Sequence, residues 1–221
     1  MGRPATKAAA RLTGQGAGTA ERAGAGPADA GTRARILDIA ERLVQVRGFN
    51  GFSYGDVAAE LGITRAALHY HFASKAELGE TLIERYAVRF GRALDDLAAS
   101  SGSAPDLLRG YARLYREILR QERMCLCGML AAEYQTLPPP MRAAVLRFLD
   151  HNETWLAAVL ERGVAAGSVQ VAGSARDTAR MIVGGLEGAM LVARPYGGVA
   201  RFEAAAARLL AGVTGGPAPA S

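Results

Sequence analysis

The sequence predicts an all-α fold in two parts, a small N-terminal three-helix unit carrying a helix-turn-helix and a larger helical domain behind it. Three observations carry this. Ala and Leu recur at helical spacing, runs of alternating β-branched residues are missing, and Ser, Thr and Gly stand where helices must begin and end. Half of the 221 residues are apolar and only nine are proline, the composition of a folded globular chain beyond its first thirty residues.

Residues 1–31 are mostly Gly, Ala, Thr and Arg, with almost no bulky side chains to bury, and are expected to form a flexible basic arm. From Thr32 the pattern changes. Ile36, Ile39, Ala40, Leu43 and Val44 define a first amphipathic helix that Gly48 ends. Phe49 and Phe52 flank an Asn-Gly turn, and Ser53 caps a short second helix with Val57, Ala58 and Leu61 on one face. Gly62 breaks it, Ile63 plugs the turn, and Thr64 caps a third helix through Phe72; two short helices about a tight glycine turn make the helix-turn-helix. Ser74 caps a fourth helix, which runs through Leu82, Tyr86, Phe90 and Leu97 and links the two parts. Further helices are expected near 105–121, 124–136, 140–165, 175–194 and 199–213. The expected organisation is therefore an arm (1–31), a helix-turn-helix domain (32–78), a larger helical domain (79–214) and a disordered tail (215–221).

The charge is placed to match. The net +5 is concentrated in residues 1–75, with 10 Lys and Arg against 6 Asp and Glu, while residues 76–221 are nearly neutral. A basic N-terminal third on a neutral remainder suits a nucleic-acid footprint attached to a module that does not bind DNA. Two cysteines, Cys125 and Cys127, are too few for a disulfide framework and point to a reducing compartment. No apolar run reaches the length needed to span a bilayer, so a cytoplasmic protein without membrane association is expected.

In a helix-turn-helix the second helix enters the major groove. Its first residues face base edges while neighbouring groups hold phosphates. Here those residues are Thr64, Arg65, Ala66, Ala67 and His69. Arg65 can donate to guanine N7 and O6, and the small alanines permit close approach or contact with thymine methyls. Tyr70, His71 and Lys75 stand where phosphates would be met.

The run Gly62-Ile63-Thr64-Arg65-Ala66-Ala67-Leu68-His69-Tyr70-His71-Phe72-Ala73-Ser74-Lys75 resembles the signature of the TetR-type (TetR/AcrR) regulators, over about residues 32–80. The resemblance implies a homodimer that represses transcription from double-stranded, pseudo-palindromic operator DNA. It implies phosphate contacts from Tyr54, Tyr70, His71 and Lys75, and base contacts from Arg65, Ala66 and His69. Arg33 and Ser53 complete the candidate DNA-contacting set. His69 replaces the usual tyrosine, and Gly55 offers no side chain where some relatives reach DNA, so the operator sequence is left open.

The resemblance further implies that the last two long helices pair across a two-fold axis. The apolar stripe Ala179, Ile182, Val183, Leu186 and Met190 agrees, with Gly184, Gly185 and Gly188 permitting close approach and Phe202, Ala206, Leu209 and Leu210 extending it. An intramolecular core would show the same stripe. Tyr111, Tyr115, Met129 and Trp155 are candidates for lining an effector pocket, and Glu133 and Glu187, on apolar helices, are candidates for its polar contacts; either carboxylate needs a ligand amine, a hydroxyl or an arginine such as Arg180 or Arg194. Cys125 joins this set as a sensing thiol, because some relatives carry a reactive cysteine near the start of this helix. The bland alternative is that both thiols are small buried hydrophobes.

No metal site is expected, since His69 and His71 point to different helix faces, and no cofactor motif is present. The arginine run Arg109, Arg113, Arg116, Arg120 and Arg123 reads as a solvated face. Two rival functions are an enzyme with Cys125 as nucleophile and His151 as base, which lacks any oxyanion motif or carboxylate pair, and a constitutive architectural DNA binder, for which the second domain is larger than needed.

Overall fold

The computed structural model describes residues 27–100 and 102–214. Among these, nine α-helices appear in the order α1 (Pro27–Arg47), α2 (Tyr54–Leu61), α3 (Arg65–His71), α4 (Lys75–Ala99), α5 (Ala104–Arg120), α6 (Leu126–Ala132), α7 (Pro139–Ala165), α8 (Ala175–Ala193) and α9 (Val199–Thr214). Short 3-10 turns follow α6 and α8. The expected arm and tail lie, for residues 1–26 and 215–221, outside the described residues.

α1 begins five residues before the expected boundary. Pro27 occupies its first turn, where a missing N–H costs nothing, and Asp29 complements the positive helix end; hydrophobic periodicity registers neither signal. Ser53 caps α2 in a full capping box with Asp56, and Gly62 (φ +69°) closes it by donating to Ala58 and Ala59. Thr64 accepts from the Ala67 N–H and opens α3, so the turn is set by one left-handed glycine and one hydroxyl. Leu68 and Phe72 of this unit are fully buried with Ile36, Ala40, Val57 and Leu78, and each of the larger side chains contributes about 1.5–3 kcal/mol through burial.

α4 carries this core into the larger domain, where it packs on α7, and α8 lies between α7 and α9. Close approach has visible causes. A Cβ on Gly185 would come 2.6 Å from Leu209, and one on Gly79 would come 2.5 Å from Met141 and 2.9 Å from Phe49.

The stripe that the sequence offered as a dimer face is turned inward. Ala179, Ile182, Val183, Leu186 and Met190 are buried within the protomer, as are Phe202, Ala206 and Leu210. A helix between two neighbours must bury its most apolar face first, and α8 has α7 on one side and α9 on the other. Exposed on α8 is a second stripe of apolar and small residues, Met181, Gly184, Gly188, Leu191 and Val192.

Filling the Gly79 notch tests this packing. Gly79→Val overpacks the junction of α4, Phe49 and α7 and is expected to cost about 1–3 kcal/mol, lowering the melting temperature by several degrees in circular dichroism; an unchanged melting temperature contradicts the geometry.

Candidate DNA interface and effector site

The exposed face of α3 presents Thr64, Arg65, Ala66, Ala67, His69 and Tyr70 together. Tyr70 is 80% exposed, unusual for so large an aromatic residue and explicable where its ring and hydroxyl meet a partner. The Arg65 guanidinium lies over the first turn of α2, where a Cβ on residue 55 would come 2.6 Å from its Nη2. Gly55 therefore makes room for Arg65, a role the sequence did not reveal. Arg65, His69 and Lys75 line a notch of about 410 Å3 with Ser53, Tyr54 and Gly55.

Other members of the predicted set act inside the protein. Tyr54 donates its hydroxyl to the Phe72 carbonyl at 3.1 Å, its ring lies 4.7 Å from that of His69, and burial pushes its pKa up to about 12. His71 Nδ1 lies 3.3 Å from the Asp29 carboxylate, and the Arg33 guanidinium covers the Phe72 ring at 4.5 Å. Ser53 donates to Asp56 within its capping box. Lys75 donates to the carbonyls of Phe49 and Phe52 at 2.5 and 2.6 Å and sits over both rings. Burial lowers its pKa, opposed by Glu133 and Asp56. Lys75 is thus a fastener of the α1–α2 turn.

The effector candidates divide. Tyr111, Tyr115 and Cys125 are fully buried and share one cluster with Trp155. Tyr111 donates to Asn152 Oδ1 at 3.0 Å, so the 3.0 Å contact between the two tyrosine hydroxyls is donated by Tyr115; Trp155 stacks on Tyr111 at 5.9 Å. Tyr86 donates to Cys125 Sγ at 3.6 Å, and the Cys125 N–H points at Met190 Sδ, 3.2 Å away. Tyr86, Asn152 and Met190 were missed as site residues. Of these, Asn152 could have been found as a lone amide among the apolar positions of α7.

Glu187 reaches this cluster from α8. Its carboxylate rests against Gly128 in the first turn of α6, where a Cβ would come 2.1 Å from Oε2. Although the residue as a whole is only half-buried, Oε1 is sealed from solvent and has no hydrogen-bond partner. Burial raises its pKa to about 7, with the Cys125 thiol as a weaker opposing contact. The two suggested arginine partners are engaged elsewhere: Arg180 with Asp177 and Glu153, Arg194 with the Val46 carbonyl. Met129 is partly buried beside the core.

Glu133 does not join them. Its carboxylate accepts from the N–H groups of Phe49 at 2.6 Å and Asn50 at 3.3 Å, and Asn50 Nδ2 donates to Thr136 at 2.8 Å. A carboxylate on an apolar helix needs donors, and the α1–α2 turn supplies them from 84 residues away. Gly48, at φ +83°, is the close-approach point, since a Cβ there would come 2.6 Å from Glu133 Oε1.

Both thiols are fully buried, and burial followed by the Glu187 carboxylate pushes their pKa values well up. Cys125 and His151 do not meet: the histidine is on the exposed side of α7, with Nε2 facing Gly91. The nucleophile–base pair of the enzyme reading is therefore not assembled. Of the arginine run, Arg109, Arg116 and Arg120 pair with Asp106, Glu117 and Glu203.

An exposed recognition helix on a capped helix-turn-helix, joined to a separate helical domain with a buried polar cluster, defines a DNA-binding transcriptional regulator. Residues 36–82 match the family described as bacterial regulatory proteins, tetR family, and residues 106–209 match the tetracyclin repressor-like C-terminal domain. Among solved structures, the chain is similar to a TetR-family transcriptional regulator from Agrobacterium tumefaciens, with 32% identity, a TM-score of 0.81 and coverage of 84% of this chain and 98% of that one. It is also similar to reduced Escherichia coli NemR, with 26% identity, a TM-score of 0.70 and coverage of 86% and 100%. Among characterised relatives, the transcriptional regulator AcuR of Cereibacter sphaeroides is 27% identical over 152 residues, 67% of this chain and 69% of AcuR. The chain belongs to the TetR family.

The buried acid has a pH signature. Because the Glu187 pKa is raised from 4.5 to about 7, its contribution to stability is complete below about pH 4.5 and is lost as pH rises through 7. The loss amounts to about 3 kcal/mol. Denaturation of the wild type between pH 5 and 8 is expected to show this decline and Glu187→Gln is expected to lack it; parallel profiles contradict the assignment.

Proposed function

We propose that this regulator is a cytoplasmic homodimeric repressor that holds a pseudo-palindromic operator and releases it when a small organic effector enters the cluster between α4, α5, α7 and α8. The observation that carries the reading is the placement of α6. Its first turn, with Cys125 and Gly128, faces Glu187 in the cluster, while Glu133 at its other end holds the α1–α2 turn of the DNA-binding unit. A ligand that displaces one end moves the other. Release follows if the effector binds the displaced arrangement more tightly than the operator-bound one.

The reading draws support from the relatives, which include the HTH-type transcriptional repressor NemR of Escherichia coli. The dimer is assigned to the exposed stripe of α8, Met181, Gly184, Gly188, Leu191 and Val192, beside the alanine-rich outer face of α9. The open space around Gly184 and Gly188 admits a partner helix at close range. Two sealed thiols with raised pKa values favour a noncovalent effector over an electrophile, because the thiolate is the reactive form. No helix among the described residues is long and apolar enough to cross a membrane.

Fluorescence anisotropy with DNA upstream of the chain's own and neighbouring genes, at fixed salt, tests operator binding. Arg65→Ala is expected to weaken specific binding about 5- to 150-fold, the equivalent of one lost bidentate base contact, with little change on random DNA. Equal losses on specific and random DNA reduce Arg65 to a phosphate contact, and absence of specific binding in an unbiased operator selection overturns the proposal.

A further inference from the structure

At Glu187 a carboxylate is seated against Gly128 with one oxygen buried and unpartnered. A carboxylate withdrawn from water needs a cation, a set of hydrogen-bond donors or a proton, and an orphaned oxygen in a sealed site is a rare feature of native proteins. No lysine or arginine among the described residues acts on Glu187, and both arginines positioned to do so by sequence are committed elsewhere. Its side-chain contact among the described residues is the Cys125 thiol, a weak donor. In its ionised form the acid does not help hold the fold, since burial works against the charge. Through Cys125, whose Sγ accepts the Tyr86 hydroxyl at 3.6 Å, the carboxylate stands beside an aromatic cluster in which Phe90 packs on Tyr86, Tyr111 and Tyr115, and aromatic π faces attract positive charge.

Resting on the effector reading above, we infer that this site selects an organic cation: a protonated amine on an apolar body, its ammonium paired with Glu187 and its body against Tyr86, Tyr111 and Tyr115. Entry displaces the flexible Met190 side chain and lifts the Glu187 carboxylate from its seat on Gly128, which loosens the start of α6. A neutral isostere leaves the carboxylate unpaired and loses the larger part of the affinity.

The test uses 2-phenylethylamine and octylamine against 2-phenylethanol and octanol. Binding to the full chain is followed by the fluorescence of Trp155, the single tryptophan, which stacks on Tyr111. The amines are expected to bind at least tenfold more tightly than the alcohols, to lose that advantage in Glu187→Gln, and in the wild type to tighten from pH 5.5 to pH 8 as the carboxylate ionises. The wild-type pH dependence keeps the test decisive should the variant fold poorly. Equal binding of alcohols and amines, amine binding that survives in Glu187→Gln, or no saturable binding of either amine overturns the inference. Operator release is read separately: amine binding that leaves the operator complex intact upholds the cation site and contradicts the effector-release mechanism.

Discussion

An α-helix ends with carbonyls that no residue of the helix can satisfy. At the C-terminus of α1 the larger domain supplies the missing partners. Gly48 closes locally on Val44 at 2.9 Å, the Met124 N–H reaches the Gln45 carbonyl at 3.2 Å, and Arg194 donates to the Val46 carbonyl. One turn further, Glu133 takes the N–H groups of Phe49 and Asn50 while Lys75 takes the carbonyls of Phe49 and Phe52. The junction between the DNA-binding unit and the regulatory domain is therefore a helix terminus capped by another domain. Charge-assisted bonds of this kind are short, directional and stronger than neutral ones. They make the pose of the helix-turn-helix depend on where α6 sits.

That dependence gives the buried cluster its leverage. α6 is only seven residues long, starts without a side-chain cap at Cys125, and is held at one end by Glu187 and Met190 and at the other by Glu133. A second tie runs beside it: Glu41 of α1 is gripped by Arg85 and Arg89 of α4 at 2.5–3.0 Å, a nearly buried acid satisfied by two guanidinium groups. Glu41 and Glu187 make an instructive pair. Both are acids drawn out of water, but one has its cations built in and the other has none, and only the latter leaves an opening for a ligand.

Local signals carried the sequence reading a long way. Caps at Ser53, Thr64 and Ser74 and the left-handed Gly62 are chemistry between near neighbours, and the helices they bound lie close to where periodicity placed them. Tyr111, Tyr115, Cys125, Trp155 and Glu187, each read from the sequence as a separate pocket candidate, lie in one region, because bulky aromatics and acids on apolar faces have few places to go. What failed was partner choice. The apolar stripe of α8 says that one face is buried without saying against what, and it proved to be the protomer's own core. Glu133 and Lys75 looked like ligand and phosphate contacts because nothing in spacing reveals a bond to backbone atoms far along the chain. Gly55 looked like a missing contact and is the space that Arg65 occupies.

On the proposed mechanism, the carboxylate of Glu133 sets the operator-binding pose through the α1–α2 turn. Operator affinity of Glu133→Gln at fixed salt, with helicity checked by circular dichroism, tests it most directly. The fold is expected to stay intact and operator binding to weaken about tenfold, the loss of one charge-assisted hydrogen bond. Wild-type affinity in the variant would contradict it and place the coupling of the two domains elsewhere.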